Sequence, residues 1–207
     1  MKQRIIILVG VIGVLLYFTG LAVDNYILRI ATKPLPLVAL LLLLKPYTHF
    51  RKYIFTGLVF SLLGDILLES SSSMFIFGLS AFLMGHIAYI VAFTGRSHKI
   101  DLLSLGLLIV SGIIIYFVLY PGLNNLAFPV LLYIIVILAM SWRAIAQRNF
   151  DKYAGFAAIG SILFVFSDSI IAINKFTTSI PYARFIVMIT YWTAQSFIFY
   201  SAYKTQK

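Results

Sequence analysis

Two aspartates stand inside long apolar segments of this chain, Asp65 in "SLLGDILLE" and Asp168 in "FVFSDSII". An ionised carboxylate at the centre of a bilayer costs about 2.5–3.5 kcal/mol on insertion scales, so such residues normally face a protein interior. Two carboxylates that lie close together in a low dielectric cannot both ionise easily, and the pair then supplies one acid and one carboxylate. That combination suits cleavage of an acid-labile C–O bond, and it equally suits a proton relay in a transporter.

Other polar residues fall in the apolar segments, and we expect them to surround the aspartates. They are Ser61, Glu69, His86, Tyr89, Ser167, Asn174, Tyr191 and Gln195. Three- and four-residue spacing places several of them on shared helix faces, so four helices are expected to converge on one polar pocket. Each residue also has a structural interpretation. The serines and Gln195 could bridge helices, His86 could be a core histidine, and Glu69 could be a solvated helix end.

Several other functions are excluded or weakened by the composition. The chain has no cysteine, which excludes disulfides, thiolate metal sites and cysteine nucleophiles. Only His86 with the two aspartates could form a metal site, so no metal or other cofactor is expected. The net charge of +10 comes from scattered single and paired charges rather than a basic stripe, which argues against nucleic acid as a partner.

The elements that must position these residues are transmembrane helices. Of the 207 residues, 62% are hydrophobic and 11% are charged, against about 45–50% apolar residues in soluble domains. We therefore predict an all-α integral membrane domain over residues 1–207, with eight spans. The N-terminal segment also resembles a cleaved signal peptide, but its apolar run is long, so we expect a retained first helix. The spans are placed near 5–23, 34–45, 53–69, 74–95, 101–120, 125–147, 153–173 and 181–203.

The basic residues predict an orientation. Twelve of the sixteen lie on one side of the predicted spans, and Arg29, Lys33, Lys175 and Arg184 lie on the other. The positive-inside rule then places both termini in the cytoplasm, which requires an even number of spans. A bacterial-type inner membrane is the expected location.

Two similar segments are compatible with a parallel repeat of four plus four helices, and chance similarity between apolar segments is the alternative. "GLVFSLLGDILL" begins at Gly57 and "GSILFVFSDSII" begins at Gly160, and each places an Asp eight residues after its Gly. Both aspartates would then lie at similar depth in the outer half of the bilayer.

The order of several motifs resembles the YhhN-like membrane family, which includes the lysoplasmalogenases. The motifs are "KPLP" from Lys33, "FSLLGD" to Asp65, "GLSAFLMGHIAY" from Gly78, "FSDSIIAINKF" from Phe166 and "TYWTAQ" from Thr190. The resemblance implies an eight-helix enzyme that cleaves the vinyl ether of a lysoplasmalogen, with Asp65 and Asp168 as the active-site pair. It also implies supporting roles for Lys33, His86, Tyr89, Asn174, Tyr191 and Gln195.

Two other classes of function remain open from the residues alone. A proton-coupled transporter of lipids or small molecules could use the same two aspartates, and a non-catalytic lipid-binding protein could carry them too. Lys33 could meet a substrate phosphate at the outer end of the helices, or it could extend along the helix to the membrane surface. The expected partners are a lysophospholipid and the lipid bilayer.

Overall fold

The computed structural model describes residues 2–205, and the described residues form helices joined by short turns, with no strand. This confirms the predicted all-α class. The helices are α1 (Lys2–Ala22), α2 (Tyr26–Thr32), α3 (Leu35–Leu43), α4 (His49–Ser70), α5 (Phe75–Thr94), α6 (Leu102–Leu123), α7 (Ala127–Ala146), α8 (Ala154–Phe176) and α9 (Ala183–Lys204).

Seven segments of the described residues are long and apolar enough to cross a membrane. One of them, Leu102–Ala146, is 45 residues long and contains both α6 and α7. Large apolar side chains lie exposed on these helices, such as Leu15 at 61% and Phe117 at 71%. Apolar surface of this kind needs lipid rather than water as its solvent. The chain is an integral membrane protein.

The second predicted span begins too late, because the segment is helical from Tyr26 and is broken in its middle. Lys33 and Pro34 keep helical backbone angles between α2 and α3. Pro34 and Pro36 lack the N–H groups that would bond the carbonyls of the preceding turn, so the hydrogen-bond ladder is interrupted there. The predicted limits of 34–45 therefore capture only α3.

The turn predicted at "YPGLNN" is shorter than expected. Helix α6 continues through Pro121 to Leu123, and only Asn124–Leu126 forms the connection to α7. Asn124 has a φ of 45° and a ψ of −126°, an uncommon backbone conformation for a residue other than glycine. The fifth predicted span, 101–120, is therefore about one turn too short at its C-terminal end.

The chain divides into two compact units, which contain the described residues 2–92 and 93–205. In the first unit α1 packs against α2 and α3. The α1–α3 contact is close because glycines face it. A Cβ on Gly10 would lie 2.9 Å from the Ala39 Cβ, and a Cβ on Gly13 would lie 2.5 Å from the Leu35 Cβ. Small residues that let helix backbones approach are typical of membrane helix interfaces.

Helices α4 and α5 also pack through glycines, in an antiparallel register. Gly64 faces the Phe82 ring and Gly78 faces Leu68, with a Cβ on these glycines lying 2.5 and 2.6 Å from the facing side chains. Gly57 lies against the Tyr89 ring in the same way. The small residues of this α4 face thus admit a neighbouring helix.

The second unit is built around the α8–α9 pair, with α7 and α6 packed against α8. A Cβ on Gly160 would lie 2.7 Å from the carbonyl oxygen of Ala194, so the two backbones are in close contact there. Ser141 of α7 and Ser161 of α8 share a hydrogen bond of 3.1 Å. Ser141 and Ser161 are fully buried, so the hydroxyl pair fixes the contact between α7 and α8.

Candidate active site

Asp65 lies on the buried face of α4, about 24 Å from the start of the helix at 1.5 Å per residue. Its exposed fraction is 2%, and that of Ser61, one turn earlier, is 1%. His86 and Tyr89 of α5 are both fully buried. The Ser61 hydroxyl lies 3.3 Å from where a Cβ on Gly85 would be, which places it beside the α5 turn that carries His86. The four predicted site residues on α4 and α5 are therefore all buried.

Glu69 is the centre of an ion-pair cluster, which corrects the expectation of a solvated helix end. Its Oε1 accepts a hydrogen bond from Arg29 Nε, and its Oε2 accepts one from Lys33 Nζ, both at 3.1 Å. The Tyr17 hydroxyl donates to Oε2 at 3.3 Å. The side chains of Arg29, Lys33 and Glu69 are only 9–10% exposed. The cluster ties α1, α2 and the α2–α3 break to the end of α4.

Asp168 lies on α8, about 21 Å from the start of the helix. One oxygen of its carboxylate, Oδ2, accepts a short hydrogen bond from the hydroxyl of Tyr133 on α7. Tyr133 is 8% exposed, so the phenol lies within the helix packing and holds the Asp168 carboxylate from the α7 side.

The other predicted residues of the second unit have structural roles that the structure makes visible. Ser167 donates a hydrogen bond of 3.1 Å to the carbonyl of Val187, which joins α8 to α9. Tyr191 is 3% exposed and its ring packs edge-on against Phe164, with centroids 5.3 Å apart. Gln195 is fully buried on α9, one turn after Tyr191.

Asn174 is not a buried group, which corrects its place among the intramembrane polar residues. The residue is exposed near the C-terminal end of α8. Its Oδ1 accepts a 2.8 Å hydrogen bond from the backbone N–H of Ile180. Asn174 therefore closes the turn between α8 and α9, a use of the amide side chain that is typical of loops.

The structure thus assembles two sets of polar side chains, one in each unit. The first unit holds Ser61, Asp65, His86 and Tyr89 on α4 and α5, with Lys33 in the Glu69 cluster. The second holds Asp168 with Tyr133, and Ser167 with Tyr191 on the α8–α9 pair. Among the residues from 2 to 205, no group of three or more His, Asp or Glu side chains is placed to hold a metal ion.

Three residues of these sets were not predicted from the sequence: Tyr17, Arg29 and Tyr133. Arg29 was counted only as a loop cation, although it is 7% exposed and bonded to both Glu69 and Asp24. The chain has thirteen tyrosines, and no spacing separates Tyr133 from the others. One signal for Arg29 and Glu69 was present, since an unpaired charge next to an apolar segment requires a partner.

The chain is similar to known proteins from mammals and mycobacteria. It is 35% identical over 161 residues to the lysoplasmalogenase TMEM86A of Bos taurus, covering 74% of this chain and 66% of that protein. It is 31% identical over 176 residues to the human lysoplasmalogenase TMEM86B, covering 84% of this chain and 74% of that protein. A lysoplasmalogenase of Mycobacterium tuberculosis is 29% identical over 143 residues, 63% of this chain and 52% of the relative.

The match therefore spans just under two thirds of the bovine relative and about half of the mycobacterial one. No solved structure matches the chain. The sequence profile of the YhhN family matches residues 28–202, a range that includes Arg29, Lys33, Asp65, Tyr133 and Asp168. By this match and by its mammalian relatives, the chain belongs to the YhhN family.

Proposed function

We propose that the protein is a lysoplasmalogenase, which hydrolyses the vinyl ether bond of a lysoplasmalogen to a fatty aldehyde and a glycerophospho-base. The observation that carries the proposal is the set of relatives, from mammals and mycobacteria alike, that are named for this activity. The substrate is a membrane lipid, and an enzyme made of apolar helices can take it directly from the bilayer.

The chemistry requires an acid and a carboxylate at one bond. A proton adds to the β-carbon of the vinyl ether, and the electron pair of the double bond moves to leave an oxocarbenium ion at the adjacent carbon. Water adds to that carbon and loses a proton, giving a hemiacetal. The hemiacetal then collapses, with its hydroxyl proton passing to the glycerol oxygen as the C–O bond breaks. An oxocarbenium-like state is stabilised by a nearby carboxylate, as in glycoside hydrolysis.

Asp65 and Asp168 are our candidates for the acid and the carboxylate, because they are carboxyl groups carried inside apolar helices. Asp65 is 2% exposed, and Asp168 accepts a hydrogen bond from Tyr133. A carboxylate in such surroundings is costly, and this cost is usually accepted for a function. We propose that both are required for cleavage of the vinyl ether and that Tyr133 positions Asp168. His86 and Gln195 would orient water or the carboxyl groups.

We further propose that the lipid phosphate lies near Lys33 and Arg29. Both cations pair with Glu69, so the three side chains together carry one excess positive charge. Asp24 also pairs with Arg29, but its own side chain is exposed to solvent. A phosphate diester carries one negative charge and accepts hydrogen bonds from such groups. Both cations lie on the same stretch of helix that ends at the α2–α3 break.

We also propose eight membrane crossings with both termini in the cytoplasm. The 45-residue apolar segment contains two helices of 22 and 20 residues joined by a three-residue turn, and each is long enough to cross alone. An even number of crossings agrees with the excess of basic residues on the side of the termini. The location would be a bacterial-type inner membrane.

The proposal is tested with the purified protein in detergent and a lysoplasmalogen in D₂O. The aldehyde is reduced at once to the alcohol and analysed by mass spectrometry. Protonation at the β-carbon predicts release of a product with one solvent deuterium at carbon 2. A lysolipid with the saturated ether and the same headgroup is the control, and we expect no product from it. Product without deuterium at carbon 2 would contradict the mechanism.

Absence of any product would contradict the hydrolase itself. The protein would then be tested in sealed vesicles for lipid or proton flux. Movement of an unaltered lipid that depends on a proton gradient is the result expected of a transporter.

A further inference from the structure

The second unit contains a polar cavity away from Asp168, at the opposite end of α7 and α8. It lies between the α5–α6 connection and the α7–α8 connection and has a volume of about 590 Å³. Cavities of about 300–1,000 Å³ are the size that holds a small ligand or a lipid headgroup. Its charged lining residues are Arg96, Lys99, Asp101 and Arg148.

The walls of this cavity are held in place by the end of α7. Arg143 donates from Nη1 to the carbonyl of Lys99 at 2.9 Å and from Nε to the hydroxyl of Thr94 at 3.1 Å. Trp142 Nε1 donates to the carbonyl of Asp101 at 3.0 Å. The α5–α6 connection is therefore fastened to α7 by the buried Arg143 and the half-buried Trp142, which hold the cavity walls in place.

The charges of the cavity leave a positive excess. Arg148 pairs with Asp101, and Arg96 pairs with Asp151, which does not line the cavity. Arg148 and the Ser104 N–H hold the pKa of Asp101 below its ordinary range, so this carboxylate stays ionised near neutral pH. Lys99 is exposed and has no ion pair among residues 2–205. The excess charge therefore resides on Lys99, which lines the same cavity as Arg148.

Gln147 adds an independent sign of a ligand. It is 1% exposed, and its Nε2 donates to the carbonyls of Ala144 and Ala154 at 3.3 and 3.2 Å. Its Oε1 is buried with no hydrogen-bond partner in the described part of the chain. A buried acceptor without a donor destabilises the fold, so a group that donates a hydrogen bond is expected there. A hydroxyl supplies that donor, whereas a phosphate oxygen does not.

The rim of the cavity is apolar, which indicates a ligand that also contacts the membrane. Ile100, Leu102 and Phe150 line it and are 71%, 72% and 53% exposed. Leu102 is also the first residue of a candidate membrane segment, so the cavity lies at the level where lipid headgroups meet the acyl chains. A lipid bound here would lay its chains along apolar side chains and its phosphate against cations.

We propose that this cavity binds the headgroup of an anionic glycerophospholipid that carries a free hydroxyl, with the phosphate at Lys99 and Arg148 and the hydroxyl on Gln147 Oε1. The site is separate from the proposed catalytic aspartates. The cavity would recognise a phosphate joined to a polyol. A soluble glycerol phosphate carries the same groups. The apolar rim favours the lipid as the source.

The test measures the thermal unfolding of the full chain in detergent with added lipids. Phosphatidylglycerol is expected to raise the unfolding temperature, and phosphatidylmethanol, which has the same charge but no free hydroxyl, is expected to raise it less. Phosphatidylcholine is the neutral control. Glycerol 3-phosphate and inorganic phosphate are added in separate samples, and a shift with these alone would assign a soluble ligand to the cavity instead of a lipid.

Three variants test whether the lipid raises the unfolding temperature by binding in the cavity. Lys99→Ala should weaken the apparent phosphatidylglycerol affinity by roughly fivefold, as expected for one cation near a membrane phosphate. Asp101→Asn keeps an oxygen that caps Ser104 and removes a negative charge, so it should strengthen binding. Lys152→Ala removes an exposed cation outside the cavity lining and should change little. An equal shift in wild type and Lys99→Ala, or no shift with any of the phosphates, would overturn the proposal.

Discussion

At the scale of single residues, Glu69 is held by two cations and a phenol, and its neighbour in the cluster is an exposed acid. Glu69 and Asp24 both bond Arg29, but their side chains are 10% and 91% exposed. Breaking a buried ion pair by removing one partner costs about 3–5 kcal/mol, whereas an exposed pair contributes about 0–1 kcal/mol. The two acids therefore form a matched comparison on one arginine.

Glu69→Gln should lower the unfolding temperature in detergent by several degrees, because Arg29 and Lys33 would be left as buried like charges. Asp24→Asn should leave it almost unchanged. Equal unfolding temperatures for wild type and Glu69→Gln would show that the cluster is not a stabilising contact.

Tyr133 offers a second prediction at this scale. Tyr133→Phe keeps the ring and removes the hydrogen bond to Asp168. A hydrogen bond to a charged group contributes about 1.5–3 kcal/mol, so kcat should fall roughly 10- to 100-fold. Loss of the same hydrogen bond should also lower the unfolding temperature by a few degrees, so kcat is compared at a temperature where Tyr133→Phe stays folded. Tyr120→Phe, an exposed tyrosine of α6, is the control, and full activity of Tyr133→Phe would remove Tyr133 from the site.

At the scale of elements, the α4–α5 and α8–α9 pairs are built alike. In each, the helix that carries the aspartate packs small residues against the next helix, Gly57 and Gly64 in α4 and Gly160 and Ser167 in α8. Each aspartate directly follows one of these small residues. This likeness agrees with the four-plus-four repeat predicted from the spacing, which stays a proposal.

The close approach of α4 and α5 predicts that alanine substitutions at Gly64 and at Gly106 have opposite effects on stability. In Gly64→Ala the new Cβ would meet the Phe82 ring at 2.5 Å, and such overpacking costs about 1–3 kcal/mol. Gly106 of α6 has nothing within 4 Å of a Cβ, so Gly106→Ala should instead stabilise its helix by about 0.5–1 kcal/mol. Thermal unfolding in one detergent compares them, and a stabilised Gly64→Ala would contradict the packing.

At the scale of the whole molecule, the proposed topology can be tested because the chain has no cysteine. Single cysteines at the exposed positions Ser73 and Thr178 should react with a membrane-impermeant maleimide in intact cells. Cysteines at His98 and Lys152, also exposed, should react only after the membrane is opened. Labelling of all four in intact cells, or the reverse pattern, would contradict the orientation.

The sequence predicted the helices and identified both aspartates as charged residues inside apolar segments. Apolar length and a charge within it are local signals. The sequence did not predict the partners. Glu69 bonds Arg29, which lies 40 residues earlier, and Asp168 bonds Tyr133, 35 residues earlier on another helix. Those contacts depend on how the helices pack, which no local spacing encodes. The prolines indicated the break between α2 and α3, but no local signal indicated that α2 precedes it.

The proposed roles of Asp65 and Asp168 in vinyl ether cleavage make a direct prediction. Its most direct test is aldehyde release from a lysoplasmalogen by Asp65→Asn and Asp168→Asn, beside wild type and Asp24→Asn. We predict that wild type and Asp24→Asn release aldehyde and that both other variants, still folded by thermal unfolding, lose at least a hundredfold. Wild-type rates in either Asp65→Asn or Asp168→Asn would contradict the proposed roles.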